Sequence, residues 1–216
     1  SKLKKYAEER GFKFSKDKPE VEAVLETMSW VTKQWKHDGM NEPPKDFTAL
    51  DILRSVHTKK TQYRCVEYGL VLTELLQSYG FVTRSLAIRT RDVAYGSFGR
   101  GHVTMEVWLN EMNKWVFLDP QFGAYITKPG QKAPLSFYET AQEMKAGQWH
   151  ALEFHFVNPL EKPKEDMVEY KNFLVQYFGH MTVSSGKGSP RISLRLEAKD
   201  TPITFQGMSS NDVIFT

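Results

Sequence analysis

A single cysteine, Cys65, occurs among the 216 residues of this chain. One thiol closes no intrachain disulfide, which argues against a small disulfide-stapled scaffold but leaves export open. No run of about 18 apolar residues is present, so no segment reads as a transmembrane helix. Charge of one sign is scarce as well. The 29 basic and 26 acidic residues leave a formal net charge of +3, and bases alternate with acids, as in Lys162-Pro163-Lys164-Glu165-Asp166. A nucleic-acid protein concentrates basic charge on one face and carries a binding motif. Neither is found, so nucleic acid is not an expected partner.

Metal and nucleotide signatures are also missing. There is no Cys-x-x-Cys pair, and His150 and His155 are five residues apart, a spacing that suits neither one helix face nor one strand face. The glycines Gly96, Gly99 and Gly101 lack phosphate-loop spacing and read as a flexible lip. No metal and no cofactor are expected. His37, His57 and His180 have no partner pattern and read as surface or capping residues. The chain opens at Ser1 without methionine or an apolar signal core, the start expected of a trimmed chain that has lost any export signal. A soluble protein is expected; compartment and oligomeric state are not legible.

What is present suffices for a core: 40% of residues are apolar and 13% aromatic. From Pro19 to Lys36, Val21, Val24, Leu25, Met28, Val31 and Trp35 recur at helical spacing. Pro43-Pro44 ends that pattern. Thr48 with Asp51 then makes a capping-box start for a short helix. A further helix runs from Cys65 to Tyr79, apolar on most sides and closed by Gly80. Cys65 therefore stands in a first turn, where unpaired N–H groups and the helix dipole favour a thiolate.

Beyond Gly80 the pattern turns to strands: Phe81 to Arg89, then His102 to Leu109 and Lys114 to Asp119. Helical stretches follow at Pro134 to Ala146 and Glu165 to Phe178, with an extended one at Trp149 to Val157. Ser184 to Pro190 reads as a linker, followed by strands near Ile192–Leu196, Ile203–Phe205 and Val213–Phe215. The expected class is α+β, with N-terminal helices packed on an antiparallel sheet and extra C-terminal strands. The expected division is a domain at 1–183 with a β extension at 184–216.

The hairpin register can be worked out from side-chain parity. A four-residue loop at Asn110–Asn113 pairs Trp108 with Trp115 and Glu106 with Phe117 on one face. It pairs Val107 with Val116 and Met105 with Leu118 on the other. In that register His102 and Asp119 share a face as diagonal neighbours, with Gln121 opposite His102. Asp119 can then orient one ring nitrogen of His102 and leave the other for Cys65. Singly, a cysteine, a strand histidine and an aspartate before proline are more often core filler, a structural partner and a turn-former. Jointly, and in this order, they fit nucleophilic catalysis.

Three segments carry a family resemblance. Tyr63-Arg64-Cys65-Val66-Glu67-Tyr68, running to Tyr79-Gly80, resembles the nucleophile helix of transglutaminase-like proteins. Gly101-His102-Val103-Thr104-Met105-Glu106-Val107-Trp108 resembles their histidine strand, and Lys114-Trp115-Val116-Phe117-Leu118-Asp119-Pro120 their aspartate strand. The resemblance spans about a quarter of the chain. It implies a papain-like fold and a Cys65–His102–Asp119 triad doing acyl transfer on a peptide or protein substrate, as a protease, amidase or transferase. Two departures bear on substrate class. The glycine-rich loop is long, and Arg64 and Val66 stand where a small residue is often found. The first oxyanion donor would be the Cys65 N–H; Gln62, Tyr63, Trp108 and Gln121 are candidates to line the site. Two alternatives are an inert binding or scaffold module and an arylamine N-acetyltransferase-like enzyme. For the latter, Pro120-Gln121-Phe122-Gly123 departs from the glycine-aromatic-glycine pattern.

Overall fold

The computed structural model describes residues 1–91 and 99–184, and beyond these the backbone of residues 192–195, 204–205 and 208–209. Four helices come first: α1 Lys2–Glu9, α2 Glu20–Thr32, α3 Ala49–Lys59 and α4 Cys65–Ser78. Strands β1 Thr83–Arg89, β2 Gly101–Leu109, β3 Lys114–Leu118 and β4 Ala124–Thr127 follow. They are succeeded by α5 Phe137–Lys145, β5 Glu153–Phe156, α6 Pro163–Val175, β6 His180–Ser184 and β7 Ile192–Arg195. Five strands form an antiparallel sheet in the order β3-β2-β1-β6-β7, and β4 pairs with β5 beside it.

The helix signals act where the sequence puts them. Thr48 and Asp51 form a reciprocal capping box on α3. The last turn of α4 gives way to Gly80 at φ +99°, a backbone conformation in which a side chain would be strained. Helix α2 stops at Thr32, short of Lys36, and Trp35 turns in to stack on Tyr68 with ring centroids 4.2 Å apart. Helix α1 and strand β4 were not anticipated. The stretch from Trp149 opens as a single 3-10 turn before β5 begins.

Parity divides the sheet between two cores. Met105, Val107, Val116 and Leu118 point towards the N-terminal helices, where Met28, Ile52, Leu53, Leu72 and Leu76 are fully buried. Full burial of each such side chain contributes about 2 kcal/mol. Leu86, Ile88 and Phe117 point the other way, to a second core built with Phe137 of α5 and Tyr170 and Leu174 of α6. The sheet is thus filling between two helical layers, and its hairpin has the expected register from Leu109↔Lys114 to Met105↔Leu118.

After Leu118 the ladder stops. Asp119 pairs with Ala124 instead, through hydrogen bonds of 2.9 and 3.0 Å that close the turn Pro120–Gly123. Gln121 consequently sits in a turn and not opposite His102. Beyond Ser184, the backbone of β7 pairs with β6 in the same sheet, and two short strands, Thr204–Phe205 and Met208–Ser209, pair with each other. Gly96, the interior of the Ser184–Pro190 linker and the strand at Val213–Phe215 lie outside the described residues.

Candidate active site

Helix α4 brings Cys65 to the end of the sheet where β2 begins. One turn into the helix, Gly69 lies flat against β2: a Cβ there would stand 3.1 Å from Val103 Cγ1 and 3.7 Å from the Thr104 carbonyl oxygen. Cys65, a turn earlier on the same side, projects towards the start of the strand. Its neighbour Arg64 caps the helix, the Arg64 N–H and guanidinium both donating to Glu67. The thiol is half-buried, and it lies close enough to the His102 ring to interact with it electrostatically.

His102 is buried and its Nε2 lies 2.8 Å from Asp119 Oδ2. A carboxylate only accepts, so Nε2 carries the proton and Nδ1 is the nitrogen left for sulfur. Burial pushes the imidazole down. The Asp119 charge and hydrogen bond, with a smaller contribution from Cys65, outweigh that and raise its pKa to about 10. Asp119 is itself well supplied with donors. Besides His102, the Tyr170 hydroxyl donates to Oδ2 at 3.0 Å and the Gln121 N–H to Oδ1 at 3.2 Å. Rings of Phe122, Phe173 and Tyr177 stand 6.0, 5.1 and 5.9 Å from the imidazole centroid, which excludes water from its flanks.

The other candidates fall in different places. Tyr63 points away into the helical core, its hydroxyl donating to Ser55 Oγ. Its carbonyl accepts from Trp35 Nε1 at 3.3 Å and from the Asp38 N–H at 3.0 Å, so the Trp35 indole is engaged there. Gln62 is exposed and its carbonyl accepts from Asn41 Nδ2. Gln121 touches the site through its backbone. Trp108 does not reach it: six residues of extended chain, about 20 Å, separate it from His102, and it packs edge-on against Trp115.

One histidine differs from the expectation of surface or capping roles. His57 bridges helices, with Tyr6 Oη 3.0 Å from Nδ1 and Gln34 Oε1 2.8 Å from Nε2. His37 is exposed, as expected, and stands near the His102–Asp119 pair. Burial lowers its pKa first and the positive charge of His102 lowers it further, against opposing pulls from Asp38, Asp119 and Glu67. His155 bonds Thr127 Oγ1. Among the described residues, no group of three or more His, Cys, Asp or Glu side chains is arranged to hold a metal ion. None of their helices is long and apolar enough to cross a membrane. Tyr170, Phe173 and Tyr177 are the site residues that sequence reasoning missed. A helical aromatic stripe was visible in the sequence, but nothing there said what it faced.

Helices packed on both faces of an antiparallel sheet, with a thiol at a helix start beside a buried His–Asp pair, define a fold of the papain-like, transglutaminase-like class. The chain belongs to the transglutaminase-like superfamily, whose family model matches residues 9–120, just over half its length. No curated protein sequence matches it. Among solved structures it is similar to a candidate cysteine protease from Cytophaga hutchinsonii, at 11% identity and TM-score 0.42, with 96% of this chain and 55% of that one covered. This chain thus spans little more than half of that protein. It is also similar to an arylamine N-acetyltransferase from Bacillus cereus, at 11% identity and TM-score 0.45, covering 90% of this chain and 86% of the other.

Proposed function

We propose that this protein is a cysteine-dependent acyl-transfer enzyme, with Cys65 as nucleophile, His102 as proton shuttle and Asp119 as orienter, acting on amide bonds of a peptide or protein. The observation that carries the reading is the position of His102, bonded through Nε2 to Asp119 and close enough to Cys65 to feel its charge.

In the first half-reaction the Cys65 sulfur attacks the amide carbonyl carbon, and the C–N bond breaks as His102 gives its proton to the departing nitrogen. A thioester remains. In the second, water or an amine attacks the same carbon while neutral His102 Nδ1 takes its proton, and the C–S bond breaks to restore the sulfur. The Cys65 N–H in the first helical turn is placed to steady the oxyanion. A groove of about 630 Å³ begins at Arg64 and Val66, the neighbours of Cys65, though Cys65, His102 and Asp119 do not line it. It continues between Pro44 of the 42–47 segment and Ala87 and Thr182 of the sheet.

The test is adduct formation. A thiol-directed electrophile and a panel of peptide amides, with acetyl coenzyme A as a separate acyl donor, should yield a mass adduct on wild type and none on Cys65→Ala. His102→Ala should slow the reaction about 100-fold or more. Reaction no faster than a free thiol, and insensitive to His102, identifies an inert binding module instead. Acylation by acetyl coenzyme A alone moves the assignment to acetyl transfer.

A further inference from the structure

Helix α6 carries Tyr170 and Phe173 on one face, Tyr177 follows in the turn just past its end, and this surface closes over the His102–Asp119 pair. It lies wholly beyond the segment matched by the family model. Tyr170 is buried, and its hydroxyl donates to the same carboxylate oxygen, Asp119 Oδ2, that His102 Nε2 reaches.

We infer that Tyr170 is a positioning residue that fixes Asp119 and tempers its pull on His102, so that the imidazole can release its proton as well as accept one. The inference rests on the reading of Cys65 as nucleophile. The second half-reaction needs neutral His102. A carboxylate alone in an aromatic pocket would hold the imidazolium proton too firmly. A second donor on Oδ2 withdraws charge from that oxygen. It does so most strongly when His102 is neutral and the Asp119 charge is uncompensated, and less when an imidazolium already satisfies it. The hydroxyl therefore stabilises the neutral-imidazole state. Burial and the adjacent Asp119 charge hold the Tyr170 phenol well above its ordinary pKa, so it remains a donor at any working pH.

Among the described residues, the groups facing His102 are few. Asp119 follows β3, Cys65 starts α4, Tyr170 comes from α6 and Tyr177 from the turn after it, and His37 comes from the segment between α2 and α3. Phe122 and Phe173 carry no proton. The Tyr177 hydroxyl donates to the Gly99 carbonyl instead, so among the described phenols it is the Tyr170 hydroxyl that bonds to the pair.

The experiment is the pH profile of iodoacetamide alkylation, from about pH 4 to about pH 11. With a single cysteine in the chain, every adduct reports Cys65. Wild type should show two steps, formation of the thiolate–imidazolium pair and loss of the imidazolium proton. In Tyr170→Phe the upper step should move up by about half a unit to one unit. An upper step that stays in place or moves down overturns the proposal even if the variant melts earlier, since a purely structural tyrosine would lower stability and leave the profile alone. In an Asp119→Asn background the same substitution should shift nothing, and an equal shift there also overturns it. Should Tyr170→Phe fail to fold, 3-fluorotyrosine placed at position 170 is a stronger donor of nearly the same shape. It should move the upper step down, and no downward shift counts against the inference. A wild-type profile with one step at about pH 8.5, that of an ordinary thiol, sinks the nucleophile reading and this one with it.

Discussion

Replacing Glu106 by glutamine should destabilise the protein by about 3 kcal/mol without slowing the chemistry of Cys65. Arg84 and Glu106 face each other across β1 and β2 with side chains 7% and 1% exposed. Arg84 Nε donates to Glu106 Oε2 at 2.7 Å, and the Phe137 N–H donates to Oε1 at 2.8 Å. The guanidinium also lies 3.9 Å from the Trp115 ring centroid. Glutamine keeps the shape but removes the charge, and its NH2 end must meet either the guanidinium or the Phe137 N–H, donor against donor. Breaking a buried pair from one side costs about 3–5 kcal/mol, and the lower end applies because Trp115 still faces the cation. In a chain of this size each kcal/mol moves Tm by about 2–4 °C, so thermal unfolding should shift down by about 6–12 °C. Exchanging both partners, Arg84→Met with Glu106→Leu, should recover most of the loss, less about 1 kcal/mol for the Phe137 N–H left without its acceptor. The alkylation rate of Cys65 should not change, since Glu106 lies about 13 Å along the strand from His102. A drop in Tm below about 3 °C for the single variant would refute the claim that this pair is buried and mutually dependent.

The hairpin was legible because side-chain parity is strict. Once the loop is Asn110–Asn113, every facing pair to Met105–Leu118 follows, and with it the shared face of His102 and Asp119. The start of α4 was legible for a similarly local reason: the apolar pattern begins at Cys65 and Gly80 closes it. Parity is silent about distance along a strand. Trp108 shares a face with His102, yet the pleat carries it some six residues away, and that is why it packs on Trp115 and not at the site. The turn at Pro120 also breaks the ladder that would have set Gln121 opposite His102. Tyr170 was illegible for a third reason. It sits 51 residues from Asp119 in the chain, and periodicity says that a segment is helical without saying which surface it covers. His57 was misjudged likewise, because its partners Tyr6 and Gln34 come from other segments.

Two further perturbations test how the sheet and the site depend on each other. Gly179→Ala should destabilise by about 2–3 kcal/mol, because a Cβ there would lie 2.4 Å from Arg91 N and 2.7 Å from Thr90 C, backbone atoms that cannot move aside. Denaturant unfolding reads the loss, and a midpoint equal to wild type would mean that the chains cross less closely. The second perturbation is pH. His102 is raised in the folded protein from its ordinary 6.5 to about 10, so folding favours the protonated imidazole. Its contribution to stability is complete below about pH 6.5 and is lost as pH climbs through about 10. Unfolding free energy should therefore decline across that interval in wild type, and a His102→Asn variant, with no proton to lose there, should decline less. Parallel slopes in the two proteins would mean that the folded and unfolded states hold the His102 proton equally well. In that case Asp119 could not be what binds it, since only the folded chain brings the carboxylate within 2.8 Å of the ring.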